Sequence, residues 1–390
     1  MSAAQLPFRL APPESGRADL LVVAGEHSGD EHAARMVLDA RRREPGLAVA
    51  ALGGPALAGA GAQLLHDLTA SSVVGIVEVL RNYSYFRALF EEILRWVAEY
   101  RPRAVCLVDY PGMNLRLAAA LRARGLSIKG GGRTRVLYYI SPQIWAWKAG
   151  RRFAMARDLD AMAVIFPFET ACYADTPLPV EFVGHPFLAP GYVSPVCYDP
   201  SGPVLLLPGS RRQPVERIFP ALLAGWRRSG CREALVLYPS EEIRDVLRAA
   251  HPPPEVRLQP VAAGAGGAVG AVAVLTSSGT MSMHCALAGI PGAIAYRANP
   301  LTYFIGRMLV RVEYLGIANL LLKEPMYPEY IQGAATPEAL AREVQAAVGD
   351  PGRRGRTAEQ AQRLRLLLDA PMGGSAADWL LRRLRGSASG

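Results

Sequence analysis

The stretch Asp19-Leu20-Leu21-Val22-Val23-Ala24, followed directly by Gly25-Glu26-His27-Ser28-Gly29-Asp30, decides the fold of this chain. Its first part is a short, mostly apolar run of the length of a buried strand, and the glycines and serine after it indicate a turn. Residues 31–43 then carry the pattern of an amphipathic helix. A buried strand, a turn and a helix in this order are typical of a parallel α/β sheet.

The same alternation recurs along the chain. Further strands are predicted in the first half at residues 47–52, 104–108, 135–140, 160–166 and 180–183, with helices at 85–100 and 115–124. It restarts in the second half with strands at 204–207, 234–238, 272–276 and 293–296, and helices at 215–228, 241–250 and 281–288. Late helices are predicted at 339–348, 360–368 and 379–385. The pattern therefore predicts two Rossmann-like domains that face each other across a ligand cleft.

The length of 390 residues also favours two domains over one core. We predict a first Rossmann-like domain over 1–188, a linker rich in proline and glycine over 189–203, and a second Rossmann-like domain over 204–358. C-terminal helices would occupy 359–390. Their periodicity leaves open whether they cross back onto the first domain, and the oligomeric state is also left open.

Composition limits the classes of partner. The net charge is +9, which suits phosphorylated substrates, anionic lipid or nucleic acid. We find no zinc-finger spacing, RNP-like motif or basic tail, so we expect no nucleic acid. The five scattered cysteines fit reduced thiols, and no apolar run is long enough to cross a membrane. We therefore expect a cytoplasmic protein.

One turn of the first half suggests acid–base chemistry. Asp109 follows the strand at 104–108 directly, in the sequence Asp109-Tyr110-Pro111-Gly112-Met113-Asn114. A carboxylate at the carboxyl end of a parallel strand lies where such folds bind ligands, and Asp109 could accept a proton from a hydroxyl group. The alternative is an aspartate that caps a turn. In the turn at 24–30, Ser28 or Asp30 could likewise only cap the following helix.

Two turns of the second half suggest a diphosphate site. Pro208-Gly209-Ser210-Arg211-Arg212 and Ser277-Ser278-Gly279-Thr280 each join a predicted strand to a predicted helix. Backbone N–H groups, hydroxyl groups and a guanidinium group suit phosphate oxygens. The lysine of a Walker motif is absent. Asp158-Leu159-Asp160 has the D-x-D form of some metal-binding glycosyltransferases, but its position favours a structural role, and we predict no metal and no cofactor.

Two apolar features remain ambiguous. Ile140-Ser141-Pro142-Gln143-Ile144-Trp145-Ala146-Trp147-Lys148 places two tryptophans after a strand, either at a site or as anchors of a buried loop. Residues 75–80, Gly-Ile-Val-Glu-Val-Leu, are unusually apolar beside a turn. Core packing is the default for that segment, and an acyl-chain groove or a membrane contact is the alternative.

Taken together, these motifs resemble those of the lipid-A-disaccharide synthase family over nearly the whole chain. The resemblance rests on the ordered series Ala24–Asp30, Gly53-Gly54-Pro55, Val74–Leu80, Asp109–Asn114, Ser141–Trp147, Phe166-Pro167-Phe168-Glu169, Val183-Gly184-His185-Pro186, Leu207–Arg211, Ser278-Gly279-Thr280, Tyr296-Arg297, Pro300-Leu301-Thr302-Tyr303, Asn319, Pro328-Glu329 and Gln332. Each motif alone is weak, but their order is specific.

The resemblance implies an inverting hexosyltransferase of GT-B fold in lipid A, and hence lipopolysaccharide, biosynthesis. Its substrates would be UDP-2,3-diacylglucosamine and 2,3-diacylglucosamine 1-phosphate (lipid X), and its products lipid A disaccharide 1-phosphate and UDP. Asp109 would be the catalytic base. The UDP-sugar would contact Ser210, Arg211, Ser278, Gly279, Thr280, His284, Asn319 and Gln332, and the acceptor side would carry Glu26, Ser28, Asn114, Ser141 and Trp145. The protein would associate peripherally with the cytoplasmic leaflet of the inner membrane.

Two positions depart from the family pattern. Gly112-Met113 differs from the common version with phenylalanine, a change of volume that we expect to be tolerated. His284 stands where the family usually has a glutamate that in GT-B enzymes commonly binds the ribose hydroxyls, so a ligand contact and a packed helix histidine are both open. Two other functions also remain. A UDP-N-acetylglucosamine 2-epimerase-like enzyme would need no lipid groove, and a non-catalytic nucleotide-binding protein at the membrane would not depend on Asp109. The acyl-chain preference cannot be derived from the sequence.

Overall fold

The computed structural model describes residues 9–69, 83–261, 267–299, 313–369 and 373–385. The apolar segment at 75–80 and the motif Pro300–Tyr303 lie outside these residues. The chain divides into two compact units. Unit 1 is Met1–Pro186 with Ala370–Gly390, and unit 2 is Phe187–Asp369.

A parallel sheet forms the centre of unit 1. Over the described residues it has seven strands in the order β3-β2-β1-β4-β5-β6-β7. The strands are β1 Leu20–Ala24, β2 Val49–Gly53, β3 Gln63–Asp67, β4 Ala104–Val108, β5 Arg135–Tyr139, β6 Ala161–Val164 and β7 Val180–Phe182. β1 and β4 are buried along their whole length, which explains why they are continuous apolar runs in the sequence.

Helices cover this sheet. They are α1 His27–Arg43, α2 Pro55–Gly59, α3 Tyr83–Tyr100, α4 Pro111–Ala123, α5 Arg151–Asp158 and, at the end of the chain, α12 Ala376–Arg385. The core of unit 1 combines the sheet with α3 and α4 residues such as Trp96 and Leu117, which are fully buried.

Unit 2 has a second parallel sheet, with six strands among its described residues in the order β11-β10-β9-β13-β14-β15. They are β9 Val204–Leu207, β10 Ala234–Tyr238, β11 Val256–Pro260, β13 Ala273–Thr276, β14 Gly292–Tyr296 and β15 Glu329–Ile331, and β8 Val196–Tyr198 pairs separately with β12 Val269–Ala271. The helices are α6 Arg212–Ser229, α7 Glu241–Ala249, α8 Thr280–Leu287, α9 Ile317–Leu322, α10 Pro337–Gly349 and α11 Pro351–Leu368.

Both sheets reverse their strand order once. In unit 1 the chain builds outward from β1 through β2 to β3 and then returns to β4, so the reversal lies between β1 and β4. In unit 2 it lies between β9 and β13. Ligands of open α/β sheets bind at this reversal, outside the carboxyl ends of the strands. The predicted α/β class with two parallel sheets is confirmed.

Some boundaries differ from the prediction. Residue 359, where the C-terminal segment was expected to begin, lies inside α11 of unit 2, and only α12 belongs to unit 1. Residues 196–198 of the expected linker form β8. No helix of the described residues is both long enough and apolar enough to span a membrane.

Candidate active site

Asp109 lies at the strand reversal of unit 1, directly after β4. Asp109 and Tyr110 both have left-handed backbones, with φ values of 46° and 47°. Two consecutive non-glycine residues in this region are uncommon, and such strain concentrates at functional sites. The Tyr110 ring packs on the backbone of Gly25 in the β1–α1 turn, where an added Cβ would lie 2.3 Å from Tyr110 Cδ1. The two turns that the sequence analysis selected are therefore in contact.

Asn114 holds the Asp109 turn in place. Its side chain is fully buried, and Nδ2 donates to the Asp109 carbonyl oxygen at 2.8 Å and to the Val108 carbonyl oxygen at 3.2 Å. The Tyr138 hydroxyl donates to the same Asp109 oxygen at 2.6 Å. Asn114 is therefore placed to position the Asp109 turn, and its contact with the acceptor stays a prediction.

The β1–α1 turn has a different organisation from the one predicted. Glu26, half-buried, is the N-cap of α1, and no side chain caps this helix. Asp30 is buried and accepts hydrogen bonds from Gly54 N at 2.7 Å and Ala56 N at 2.9 Å, so it caps α2 instead of its own helix. Glu26 and Ser28 are the partly exposed polar side chains of this turn.

The tryptophan loop after β5 contacts a buried acid. Trp145 Nε1 donates to Glu169 Oε1 at 3.3 Å, and the Phe166 backbone N–H donates to Glu169 Oε2 at 3.1 Å. Burial raises the pKa of the Glu169 carboxyl to about 8, and the charge of Asp109 acts in the same direction. Ser141 is buried, with its hydroxyl 2.7 Å from that of Tyr173, and its contact with the acceptor stays a prediction.

The two phosphate-type turns of unit 2 adjoin at the second strand reversal. Gly209 has a φ of 119°, and a Cβ there would lie 3.3 Å from Ser277 Oγ. Neither α6, which begins after Arg211, nor α8, which begins after Gly279, has a side-chain cap. Ser210, Arg211, Gly279 and Thr280 are exposed and Ser278 is half-buried. The arrangement offers helix N-terminal amides, hydroxyl groups and a guanidinium group to an anion.

His284 is packed between aromatic side chains. Its ring is 5% exposed and stacks on Phe187 with 3.8 Å between centroids. The Tyr192 hydroxyl lies 3.1 Å from His284 Nε2. The same three rings line a cavity of about 530 Å³ with Leu287 and Arg365. His284 therefore has a protein partner that the sequence could not indicate, and its contact with a nucleotide stays a prediction.

Asn319 and Gln332 hold the backbone of unit 2. Asn319 is fully buried, donates to the Tyr327 carbonyl oxygen at 2.7 Å and to Glu329 Oε1 at 2.8 Å, and accepts from Tyr327 N at 2.9 Å. Gln332 exchanges two hydrogen bonds with the backbone of Ala298, at 2.9 and 3.1 Å. The polar atoms of Asn319 are thus buried and bonded to Tyr327 and Glu329, and its contact with the UDP-sugar stays a prediction.

Neither aspartate of the D-x-D motif is arranged as a metal ligand. Asp158 accepts from Arg122 at 2.6 Å and from Arg157 at 2.8 Å, and Asp160 accepts from Val136 N at 2.7 Å. Within the described ranges, no group of three or more histidine, cysteine, aspartate or glutamate side chains is arranged to hold a metal ion.

Sequence reasoning did not select Glu169 as a site residue. The motif Phe166-Pro167-Phe168-Glu169 contributed to the resemblance, but nothing local separates this glutamate from a capping residue. The Glu169 carboxyl group does accept from the backbone N–H of Phe166, the N-cap of the turn after β6. The one available signal was a carboxylate a few residues after a buried strand, a weaker form of the signal that selected Asp109.

Comparison with solved structures identifies the class of protein fold to which the chain belongs. A protein described as a UDP-N-acetylglucosamine 2-epimerase from Listeria monocytogenes superposes with a TM-score of 0.61 at 11% identity, covering 94% of this chain and 95% of that chain. The calicheamicin glycosyltransferase CalG4 superposes with a TM-score of 0.55 at 15% identity, covering 96% and 100%. The chain thus has the GT-B glycosyltransferase architecture.

Sequence comparison identifies the family within that class. The family model described as lipid-A-disaccharide synthetase matches residues 20–371. The lipid-A-disaccharide synthase of Geobacter metallireducens is 36% identical over 355 residues, which cover 85% of this chain and 88% of that protein. That of Anaeromyxobacter dehalogenans strain 2CP-1 is 37% identical over 359 residues, covering 88% and 90%. The chain belongs to the lipid-A-disaccharide synthetase family and is a glycosyltransferase of lipid A biosynthesis.

Proposed function

We propose that this chain transfers the sugar of UDP-2,3-diacylglucosamine to the 6-hydroxyl group of lipid X, with Asp109 as the catalytic base. Asp109 accepts the hydroxyl proton as the acceptor oxygen bonds to the anomeric carbon. The bond from that carbon to the diphosphate oxygen breaks, and UDP leaves with the electron pair. Attack from the face opposite UDP inverts the anomeric centre and gives the β-1,6-linked disaccharide 1-phosphate.

The observation that carries this proposal is the strained turn at Asp109. Its backbone is held by Asn114 Nδ2 and the Tyr138 hydroxyl, both of which donate to its carbonyl oxygen. These contacts fix the main chain of Asp109 directly after the carboxyl end of β4, where the fold binds ligands. A general base needs such fixed orientation within hydrogen-bond reach of the proton that it accepts.

In unit 2, we assign the departing diphosphate to the turns at Gly209–Arg211 and Ser278–Thr280. The developing negative charge is stabilised by the N-termini of α6 and α8 and by the Arg211 guanidinium group. These groups supply positive charge without a metal ion, so we expect turnover to continue in the presence of a chelator. Ser210, Ser278 and Thr280 contribute hydroxyl groups to the same anion.

We also assign the protein to the cytoplasmic face of the inner membrane as a peripheral protein. Support comes from the chemistry of the substrates, since diacylated sugars reside in a bilayer, and from the net charge of +9. Cationic surfaces bind anionic leaflets by electrostatic attraction.

The test of the reaction compares wild type with Asp109→Asn in detergent, with UDP-diacylglucosamine, lipid X and a chelator. Asparagine adopts the left-handed backbone as readily as aspartate and keeps its volume, so only the basic oxygen is lost. We expect kcat to fall by about 10²–10⁴-fold, the usual contribution of a general base. Asp39→Asn, which removes a surface carboxylate paired with Arg42, is the matched control. Full activity of Asp109→Asn would reject the base, and no product from folded wild type would reject the reaction.

A further inference from the structure

Two cations gather around one exposed indole ring beside the Asp109 turn. Lys148 Nζ lies 4.5 Å from the centroid of the Trp147 ring, and the Arg151 guanidinium carbon lies 5.0 Å from it. The ring is 38% exposed, which is costly for a tryptophan that nothing covers. Trp147 and Lys148 lie between β5 and α5, Arg151 is the first residue of α5, and all three belong to the same unit as Asp109.

This placement concentrates positive charge on the surface. Both cations lie within about 5 Å of the centre of one indole ring, and Arg151 also occupies the first turn of α5, where the helix dipole is positive. That turn contains no acidic residue. Arg152, next in the helix, is balanced by Asp175 at 2.6 Å. No carboxylate in the described part of the chain forms an ion pair with Lys148 or Arg151.

Arg151 also lies close to a residue that holds the turn of the proposed base. Arg151 lowers the pKa of the Tyr138 hydroxyl, against the larger effect of burial that raises it. That hydroxyl donates to the carbonyl oxygen of Asp109. The loop that carries Trp147 also approaches this region, because Trp145, two residues earlier, donates to Glu169 at 3.3 Å, and the charge of Asp109 raises the pKa of Glu169. An anion held by Lys148 and Arg151 would therefore lie near the acceptor site.

We propose that Lys148 and Arg151, gathered around Trp147, bind the phosphate monoester of the acceptor sugar. An ammonium group and a guanidinium group together match the oxygens of a phosphate dianion, and stacking on the indole ring fixes their positions. The diphosphate of the donor is assigned to unit 2, so this subsite serves the other substrate. The inference rests on the proposed function and specifies how the enzyme recognises its acceptor.

The test measures KM for two acceptors in detergent: lipid X, and 2,3-diacylglucosamine, which lacks the phosphate. The variants are Lys148→Gln, Arg151→Gln and the double variant, with Arg152→Gln as the control that removes a balanced charge from the same helix. We expect each single variant to raise KM for lipid X about tenfold, the usual effect of a lost charge-assisted hydrogen bond. The values of kcat and of KM for UDP-diacylglucosamine should stay unchanged.

With the unphosphorylated acceptor, wild type and variants should have the same KM, because the phosphate is the group that the two side chains recognise. Lys148→Arg and Arg151→Lys keep the charge and should recover most of the affinity for lipid X. Equal losses with both acceptors would overturn the proposal, as would an unchanged KM for lipid X in the double variant.

A membrane headgroup is the other source of phosphate, and vesicle binding distinguishes it. If the double variant loses binding to phosphatidylglycerol vesicles but keeps the wild-type preference for lipid X in detergent, the two cations contact the bilayer and the proposal fails. A wild type that converts neither acceptor would reject the proposed function itself. If wild type is active but the variants have the same KM for lipid X as wild type, the phosphate subsite is rejected and the proposed function stands.

Discussion

Glu169 is a buried glutamate whose pKa is raised above the ordinary value for this residue type. The side chain is 1% exposed, and burial raises the pKa of its carboxyl group to about 8 in spite of hydrogen bonds from Phe166 N and Trp145 Nε1. At neutral pH the carboxyl group is therefore mostly protonated.

The raised pKa of Glu169 predicts a pH-dependent stability. In the unfolded chain this group loses its proton near pH 4.5, whereas in the folded chain it does so near pH 8. Between these values the unfolded state binds fewer protons, so the free energy of unfolding falls as the pH rises, by roughly 1.4 kcal/mol per pH unit from this group. Glu169→Gln lacks that contribution and should gain stability relative to wild type over this window.

Urea unfolding of wild type and Glu169→Gln at intervals from pH 5 to pH 8 measures this effect. Glu91→Gln is the matched control, since Glu91 is exposed and pairs with Arg124 at the surface. A difference between wild type and Glu169→Gln that does not change with pH would show that Glu169 is not protonated in the folded protein.

At the scale of elements, the central strands and the helices between them could be predicted from the sequence, whereas of the four edge strands only β7 was predicted. β4, β9 and β10 have the predicted bounds, because strands buried on both faces are continuous apolar runs. β3, β11 and β15 were missed. They lie at the edges of their sheets, and their polar residues, such as Gln63 and Arg257, interrupt the apolar pattern.

The contact between the β1–α1 turn and the β4–α4 turn predicts a strong effect of Gly25→Ala. The new methyl group would overlap the Tyr110 ring, whose Cδ1 lies 2.3 Å from the Cβ position. Tyr110 must move, and Asp109 with it. A displacement of about 1 Å in a catalytic group can lower the rate about 10²-fold.

Disaccharide synthesis by Gly25→Ala and by Gly112→Ala checks this prediction. Gly112 lies exposed in the first turn of α4, and a Cβ there meets no atom within 4 Å, so alanine should be tolerated. Both variants should remain folded, with a loss of about 1–3 kcal/mol for the overpacked Gly25→Ala. Equal activity of the two variants would show that the Tyr110 contact does not position the base.

For the whole molecule, the charge predicts how the protein meets a bilayer. With a net charge of +9, wild type should cosediment with vesicles that contain phosphatidylglycerol at low ionic strength and be released as salt is added. Neutral phosphatidylcholine vesicles are the control. An absence of cosedimentation with anionic vesicles even at low salt would contradict peripheral binding through charge.

The position of the last helix, α12, could not be derived from the sequence. α12 follows α11 of unit 2 in the chain but packs in unit 1, where Trp379 is fully buried. Arg382 and Arg383 pair with Glu181, and Arg43 pairs with Asp378. The amphipathic pattern of residues 379–385 predicted a buried face, but not the surface that buries it.

The sequence by itself determined the strand–helix alternation, the two parallel sheets and the turns at Asp109, Gly209 and Ser278, because periodicity and turn residues report local burial and backbone shape. Only the tertiary structure decided what the polar groups do. It turned Asn114 and Asn319 into buried supports, directed Asp30 to the N-terminus of α2 and raised the pKa of Glu169. The reason is that hydrogen-bond partners and the burial of charge depend on residues far apart in the chain, which no local pattern records.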